Sequence, residues 1–268
     1  MINGSYNPNT KPMSSIEWTG QNRWNFITGC SKVKGAAGCQ NCYAEQLALK
    51  LKREGNPRYK NGFNLTIHRD KLDHPKYWTR PSLCFVNSMS DMFHEGVPDE
   101  VIIRAFEVMN NHKQHHFQIL TKRPYRVLEI ADQLTFTPNI WMGVSVGTNA
   151  RLDQIEILKE IPARIRFVSY EPLLTMLKYH DLTGIDWAIP GGESPGVHGM
   201  RPSKIEYFTE LIKNCDDYGV SVFVKQLGGM LGREYKMSGK HYYKGGDFSK
   251  FPAELQRREF PINVKHLC

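Results

Sequence analysis

The sequence predicts an α/β protein: a parallel sheet with crossover helices, rolled into a partial TIM-type (β/α) barrel. Short apolar runs alternate with amphipathic ones along the chain, the order that yields parallel strands joined by helices. Several of these runs are apolar on both faces, as strands buried between two layers are. Nearly every run also ends in polar, chemically capable residues. In a barrel such ends converge on one mouth, whereas an open sheet spreads them along an edge.

The elements follow in chain order. A strand near RWNF (23–26) leads into a glycine-punctuated loop that holds Cys30, Cys39 and Cys42, and YAEQLALKLKRE leaves that loop as a helix. FNLTIHRDKL adds a strand with no assigned neighbour. The main strands are LCFVNS (83–88), FQILT (117–121), IWMGVSV (140–146), IRFVSY (165–170), DWAIP (186–190) and VSVFVKQ (220–226), each rich in β-branched or aromatic residues and bounded by turn formers. Between them, PDEVIIRAFEVMNNHK places Pro98 in a first helical turn with acidic residues after it. NARLDQIEILKEI and SKIEYFTELIKNCDDYG show the same helical period. The latter opens on a Ser203 to Glu206 capping box and closes near Gly219. With no repeat and no low-complexity linker, residues 1–268 read as one domain with short terminal extensions.

The composition, 40% hydrophobic and 23% charged, is that of an ordinary globular protein. No run reaches the roughly 18 apolar residues of a membrane span, and the opening MINGSYNPNTKPMSS lacks an apolar signal core. A cytoplasmic protein without a membrane partner is expected. The formal charge of +8 favours anionic partners such as nucleic acid, a nucleotide or phosphate, although a basic solvated surface accounts for it too. Trp18, Trp24, Trp78, Trp141 and Trp187 are expected in core and rim, because nothing spaces them as a base-stacking platform.

Six cysteines are far below the roughly 8–10% of a disulfide scaffold. Cys84 and Cys215 lie in apolar runs and read as core thiols, with Cys268 a spare terminal one. The clustered three differ. The Cys39/Cys42 pair has the C-x2-C spacing that lets two sulfurs point at one ion, and glycines 29, 35 and 38 let the backbone wrap closely. The following helix N-terminus favours thiolates or an anionic cluster. Inert or redox thiols and two metal sites remain open. Structural zinc needs a fourth ligand, which Cys84, Cys215 or a histidine would have to bring from a distance. Three thiolates without a fourth suit a [4Fe–4S] cluster that leaves one iron open to a substrate or cofactor.

The polar strand ends supply the other candidates. Lys122 and Arg123 suit phosphate or carboxylate as a paired cation; a salt bridge at a helix start competes, since Pro124 fits a first helical turn. Glu171 reads as an acid/base or as the ionic partner of Lys122 or Lys225. Gly191 and Gly192 leave bare backbone for close ligand approach beside Glu193. Ser88, Ser90, Asp91, Ser145, Ser169, Lys225 and Gln226 complete the set. The histidines of HKQHH (112–116) fall at a helix end and loop and are expected to be solvated, while His94 lies nearer the mouth.

A three-cysteine loop ending in C-x2-C-aromatic, after the first strand of a partial barrel, resembles the radical S-adenosylmethionine superfamily. Cys42-Tyr43-Ala44 matches its common ending. More closely, IEWTG, GCxxxxGxxGCxNCYAE, SMSDMFHE, QILTKRP, WMGVSV, RFVSYEPLL, GGES and VKQLG resemble a phage-associated three-cysteine-motif family of unknown function, from Ile16 to about Gly228. The superfamily resemblance implies that Cys30, Cys39 and Cys42 ligate three irons. S-adenosylmethionine would chelate the fourth, and an external electron donor would reduce the cluster to release a 5′-deoxyadenosyl radical. Tyr43 would then pack near the adenine, and Ser88 or Asp91 would meet the methionine amine, with Glu193 a pocket acid. The first cysteine gap here is eight residues instead of the usual three, and GGES comes four strand candidates later than the usual Gly-Gly-Glu. A further likeness to lyases that repair DNA photoproducts implies a nucleotide or nucleic-acid substrate, for modification or repair. The alternative is a non-enzymatic, zinc-containing protein that binds nucleic acid or a partner.

Overall fold

The computed structural model describes residues 16–20, 22–195, 199–237 and 242–261; Cys268 and the opening segment lie outside them. The strands are β1 (Asn22–Trp24), β2 (Ile27–Thr28), β3 (Thr66–Ile67), β4 (Leu83–Val86), β5 (His116–Thr121), β6 (Ile140–Ser145), β7 (Ile165–Tyr170), β8 (Trp187–Pro190) and β9 (Ser221–Val222). Seven of them form one sheet in the order β1-β4-β5-β6-β7-β8-β9. Every neighbouring pair is parallel. The helices are α1 (Tyr43–Arg53), α2 (Asp99–Asn111), α3 (Pro124–Glu129), α4 (Asp153–Glu160), α5 (Ile205–Asp217) and α6 (Gly229–Glu234).

The strand order never reverses, so the sheet lacks the switch point of a doubly wound fold. It is also not closed, which limits the barrel expectation to an open α/β sheet. Closure would need β1 to meet β9, but the free edge of β9 is taken by the C-terminal segment. There Val224 N donates to Arg257 O and Glu259 N to Val222 O, in antiparallel pairing. β9 is shorter than the predicted 220–226 because Pro190 on β8 has no N–H to continue the ladder. The segment FNLTIHRDKL finds its place beside β2, in a separate antiparallel pair just ahead of the cysteine loop.

Alternation along the strands builds two cores. One face buries Cys84, Phe117, Met142, Val168, Ala188 and Val222 against helical residues such as Ile102, Phe106 and Phe208. The other buries Phe85, Trp141, Ile165, Phe167, Trp187, Ile189 and Phe223, with Trp18 inserted from the N-terminal segment. Trp18 meets Phe85 edge-on at 4.9 Å and Trp187 at 5.9 Å between ring centroids. Gly143 makes this packing possible, since a Cβ there would stand 2.3 Å from the Phe167 ring. The period of two then brings Ser145, Ser169, Glu171 and Lys225 next on the same face, above the aromatic plug. Trp18, Trp24, Trp141 and Trp187 are buried, as expected of core residues.

Several local expectations change. Ser203 Oγ donates to Leu173 O, and the N-cap of α5 is Lys204, so the capping box does not form. A tertiary carbonyl has outcompeted the helix end for the hydroxyl. Pro98 is the N-cap of α2 and not its first helical residue. Pro124 does open α3, and Gly219, at φ +67°, closes the turn after α5. His115 is fully buried, its ring 5.3 Å from Trp78, so the HKQHH segment is only partly solvated. Cys84 and Cys215 are fully buried, as core thiols are. Among the described residues no helix is long and apolar enough to cross a membrane.

Candidate functional site

The polar strand ends open into one cavity of about 410 Å3, a volume typical of small-molecule sites. Ser88, Ser90 and Asp91 reach it after β4, Lys122 and Arg123 after β5, and Ser145 from β6. Ser169 and Glu171 come from β7, Gly192 and Glu193 follow β8, and Lys225 and Gln226 follow β9. Cys30, Cys39, Cys42 and Tyr43 line the same space. Gly191 stands just behind the wall, where a Cβ would press on Glu171 Cγ at 2.9 Å. The predicted residues thus share one site, although the sheet is open.

The cysteine loop is anchored at its entry. Gly29 sits at φ +82°, and a Cβ there would lie 2.3 Å from Asn64 O, so only glycine fits. Gly29 N donates to Met89 O and Cys30 N to Phe63 O. Cys39 ends a 3-10 turn, Ala37–Cys39, and Cys42 is the N-cap of α1. At the start of α1 the Tyr43 hydroxyl donates to Ser88 O, which ties the helix to the end of β4.

Two arginines hold the loop over the cavity. Arg123 donates from Nη2 to Ser31 O and Oγ, at 3.2 and 2.9 Å, and from Nη1 to Cys30 Sγ at 3.6 Å. It is itself fixed by Asp91 and by Glu95, whose Oε1 accepts from Nε at 2.8 Å. On the other side Arg201 donates to Ala37 O at 2.9 Å and Gln40 Oε1 at 2.6 Å, while pairing with both oxygens of Glu193. Asp91 and Glu193 are therefore committed to framing the loop: Asp91 accepts from Phe93 N, Thr121 Oγ1, Lys122 N and Arg123.

Lys225 Nζ lies 2.7 Å from Glu171 Oε2, so of the two expected partners Glu171 takes Lys225. A second pair, Lys244 Nζ to Glu17 Oε1 at 3.2 Å, stands in the same region. Burial disfavours the Lys225 charge, but Glu171 and Glu17 outweigh it and raise its pKa above the usual lysine value. For Glu193, burial is likewise outweighed by Arg201, which holds the carboxyl below its ordinary value. Burial pushes the Cys30 thiol up, Asp91 adds to this and Arg123 opposes it. Ser90 Oγ donates to Ile27 O and Ser88 Oγ to Asn25 Oδ1, so both serines brace the rim.

Sequence reasoning missed Glu17, Ser31, Glu95, Arg201 and Lys244. Glu17 and Glu95 lie in IEWTG and SMSDMFHE, segments already singled out, but their local pattern carries no mark of the partner each finds. His94 does not line the cavity; its Nδ1 accepts from Gly96 N. Among the described residues no three histidine, cysteine, aspartate or glutamate side chains converge tightly enough to hold a single ion.

No curated protein and no solved structure gives a significant match to this chain. The profile of one family, described as "Protein of unknown function (DUF5131)", matches residues 13–252, and the chain belongs to that family.

Proposed function

We propose that the protein is an iron–sulfur enzyme of the radical S-adenosylmethionine type, built on a partial barrel, that acts on a nucleotide or nucleic-acid substrate. The observation that carries this reading is that Cys30, Cys39 and Cys42 all line one cavity whose other walls are polar strand ends. The donor set supports a cluster with an open iron. Cys84 and Cys215 are buried in the helix-facing core, and among the described residues neither they nor a histidine line the cavity.

Cys30, Cys39 and Cys42 would hold the cluster, which when bound with S-adenosylmethionine supplies a carbon radical from one external electron. The chain's own residues do the rest. Arg123 and Arg201 fix the loop on both sides, so the thiols keep one position relative to the strand ends. The aromatic plug below closes the cavity floor.

Anaerobic purification or reconstitution, followed by iron, zinc and sulfide analysis, tests the proposal. About four irons and four sulfides per chain are expected, with cleavage of S-adenosylmethionine to 5′-deoxyadenosine on reduction. Stoichiometric zinc without sulfide would overturn it in favour of a zinc-containing binding protein.

A further inference from the structure

We infer that the cavity contains a subsite for a nucleoside monophosphate, in which Lys122 takes the phosphate and the free oxygens of Glu171 and Gln226 accept N–H groups of the base. This deepens the nucleotide reading proposed above and rests on it for the choice of substrate class.

The charge pattern isolates Lys122. Arg123 is paired with Asp91, Lys225 with Glu171, Lys244 with Glu17, Arg201 with Glu193, and Lys32 with Glu45 at the rim. Lys122 makes no ion pair with any described residue, although its backbone is fixed on both sides. Its N–H donates to Asp91 Oδ2 at 3.0 Å and its carbonyl accepts from Arg151 Nη2 at 2.8 Å. The side chain runs beneath the cysteine loop, with Cε 3.9 Å from where a Cβ on Gly38 would stand. A half-buried lysine in the wall of this cavity, with every neighbouring carboxylate already neutralised, is a place for an anion brought by a ligand.

The second half of the pattern is a pair of acceptors. Glu171 Oε1 and Gln226 Oε1 are buried and have no hydrogen-bond partner among the described residues. Such orphans are uncommon in folded proteins and ask for an explanation. Gln226 is only 3% exposed, and its Nε2 is spent on Gly192 O at 3.1 Å and Ser194 Oγ at 3.0 Å, so the amide offers its oxygen alone. The Glu171 carboxylate is already neutralised by Lys225 through its other oxygen. An ammonium group placed on Oε1 would be repelled by that lysine, whereas the neutral N–H of a nucleobase would not. One uncompensated cation together with acceptors for neutral N–H groups describes a phosphate joined to a base.

The test is titration calorimetry on the full chain, with metal content measured on the same sample. The ligands are the nucleoside monophosphates, the matching nucleosides, inorganic phosphate and S-adenosylmethionine. At least one monophosphate is expected to bind about tenfold or more tighter than its nucleoside. Lys122→Met should erase that difference, Lys122→Arg should keep most of it, and Gln226→Leu should weaken nucleoside and monophosphate alike. The inference is overturned if monophosphates bind no tighter than nucleosides in the wild type, or if Lys122→Met leaves the difference intact. It is also overturned if S-adenosylmethionine is the one ligand that depends on Lys122. No arm reads turnover. A cluster-free protein that binds the monophosphate would sink the cluster and keep the subsite; a cluster-loaded protein that binds none would do the reverse.

Discussion

Arg123 Nη1 lies 3.2 Å from Asp91 Oδ2, and both side chains are almost wholly buried beside the cysteine loop. Asp91 gathers the ends of β4 and β5, and Arg123 carries that fixed point across to Ser31 and Cys30. Without Asp91, Arg123 keeps only the exposed Glu95 as an ionic partner, and breaking a buried pair typically costs about 3–5 kcal/mol. Asp91→Ala is therefore expected to lower stability by an amount in that range. Urea denaturation with an unchanged m-value would check it; a loss under about 1 kcal/mol would show that the pair is not structural.

Arg201→Gln removes the hold on Ala37 and Gln40 while leaving the Arg123 side in place. Thiol labelling of Cys39 should become faster in this variant. Cys84 and Cys215, fully buried in the core, should stay slow to label in both proteins. Equal labelling of Cys39 in both would remove Arg201 from its clamping role.

Gly143→Ala forces a methyl group to within 2.3 Å of the Phe167 ring, in a cluster of buried aromatic side chains. Overpacking of this kind costs about 1–3 kcal/mol. A midpoint shift of that size in chemical denaturation is expected, while Gly184→Ala, which meets no atom within 4 Å but sits at φ +77°, probes backbone strain alone.

Stability should fall on acidification. Burial is the first cause lowering the pKa of His68, His94, His115, His116 and His180. Each stays neutral in the folded chain at a pH where the unfolded chain, with histidine near about 6.5, already binds a proton. The unfolded state then holds more protons, so their contribution is complete above about pH 6.5 and is lost as the pH falls through the depressed folded values. A melting temperature that did not drop between about pH 7 and pH 5 would contradict this.

Metal content should follow the cavity thiols alone. Cys39→Ser is expected to lose iron and sulfide, whereas Cys84→Ala, at a fully buried core position, should retain them. Iron that survives Cys39→Ser would reject the proposed ligand set.

The amino-acid order alone determined the α/β class, the run of strands and the meeting of their polar ends with three cysteines. Those signals are local. A period of two, a glycine that must take positive φ and a C-x2-C turn each act over a few residues, so they survive without knowledge of the rest of the chain. What only the tertiary structure decided is partnership. Arg123 and Asp91 stand 32 residues apart, Lys225 and Glu171 stand 54 apart, and Arg201 reaches Ala37 across 164. Whether the sheet closes was decided the same way, by the tail at 257–259 taking the edge of β9. A charge or a strand edge pairs with whatever the packed fold brings within a few ångströms, and sequence distance carries little information about that. Ser203 makes the same point at small scale: its local pattern favoured a helix cap, and a carbonyl 30 residues away accepts its hydrogen bond instead.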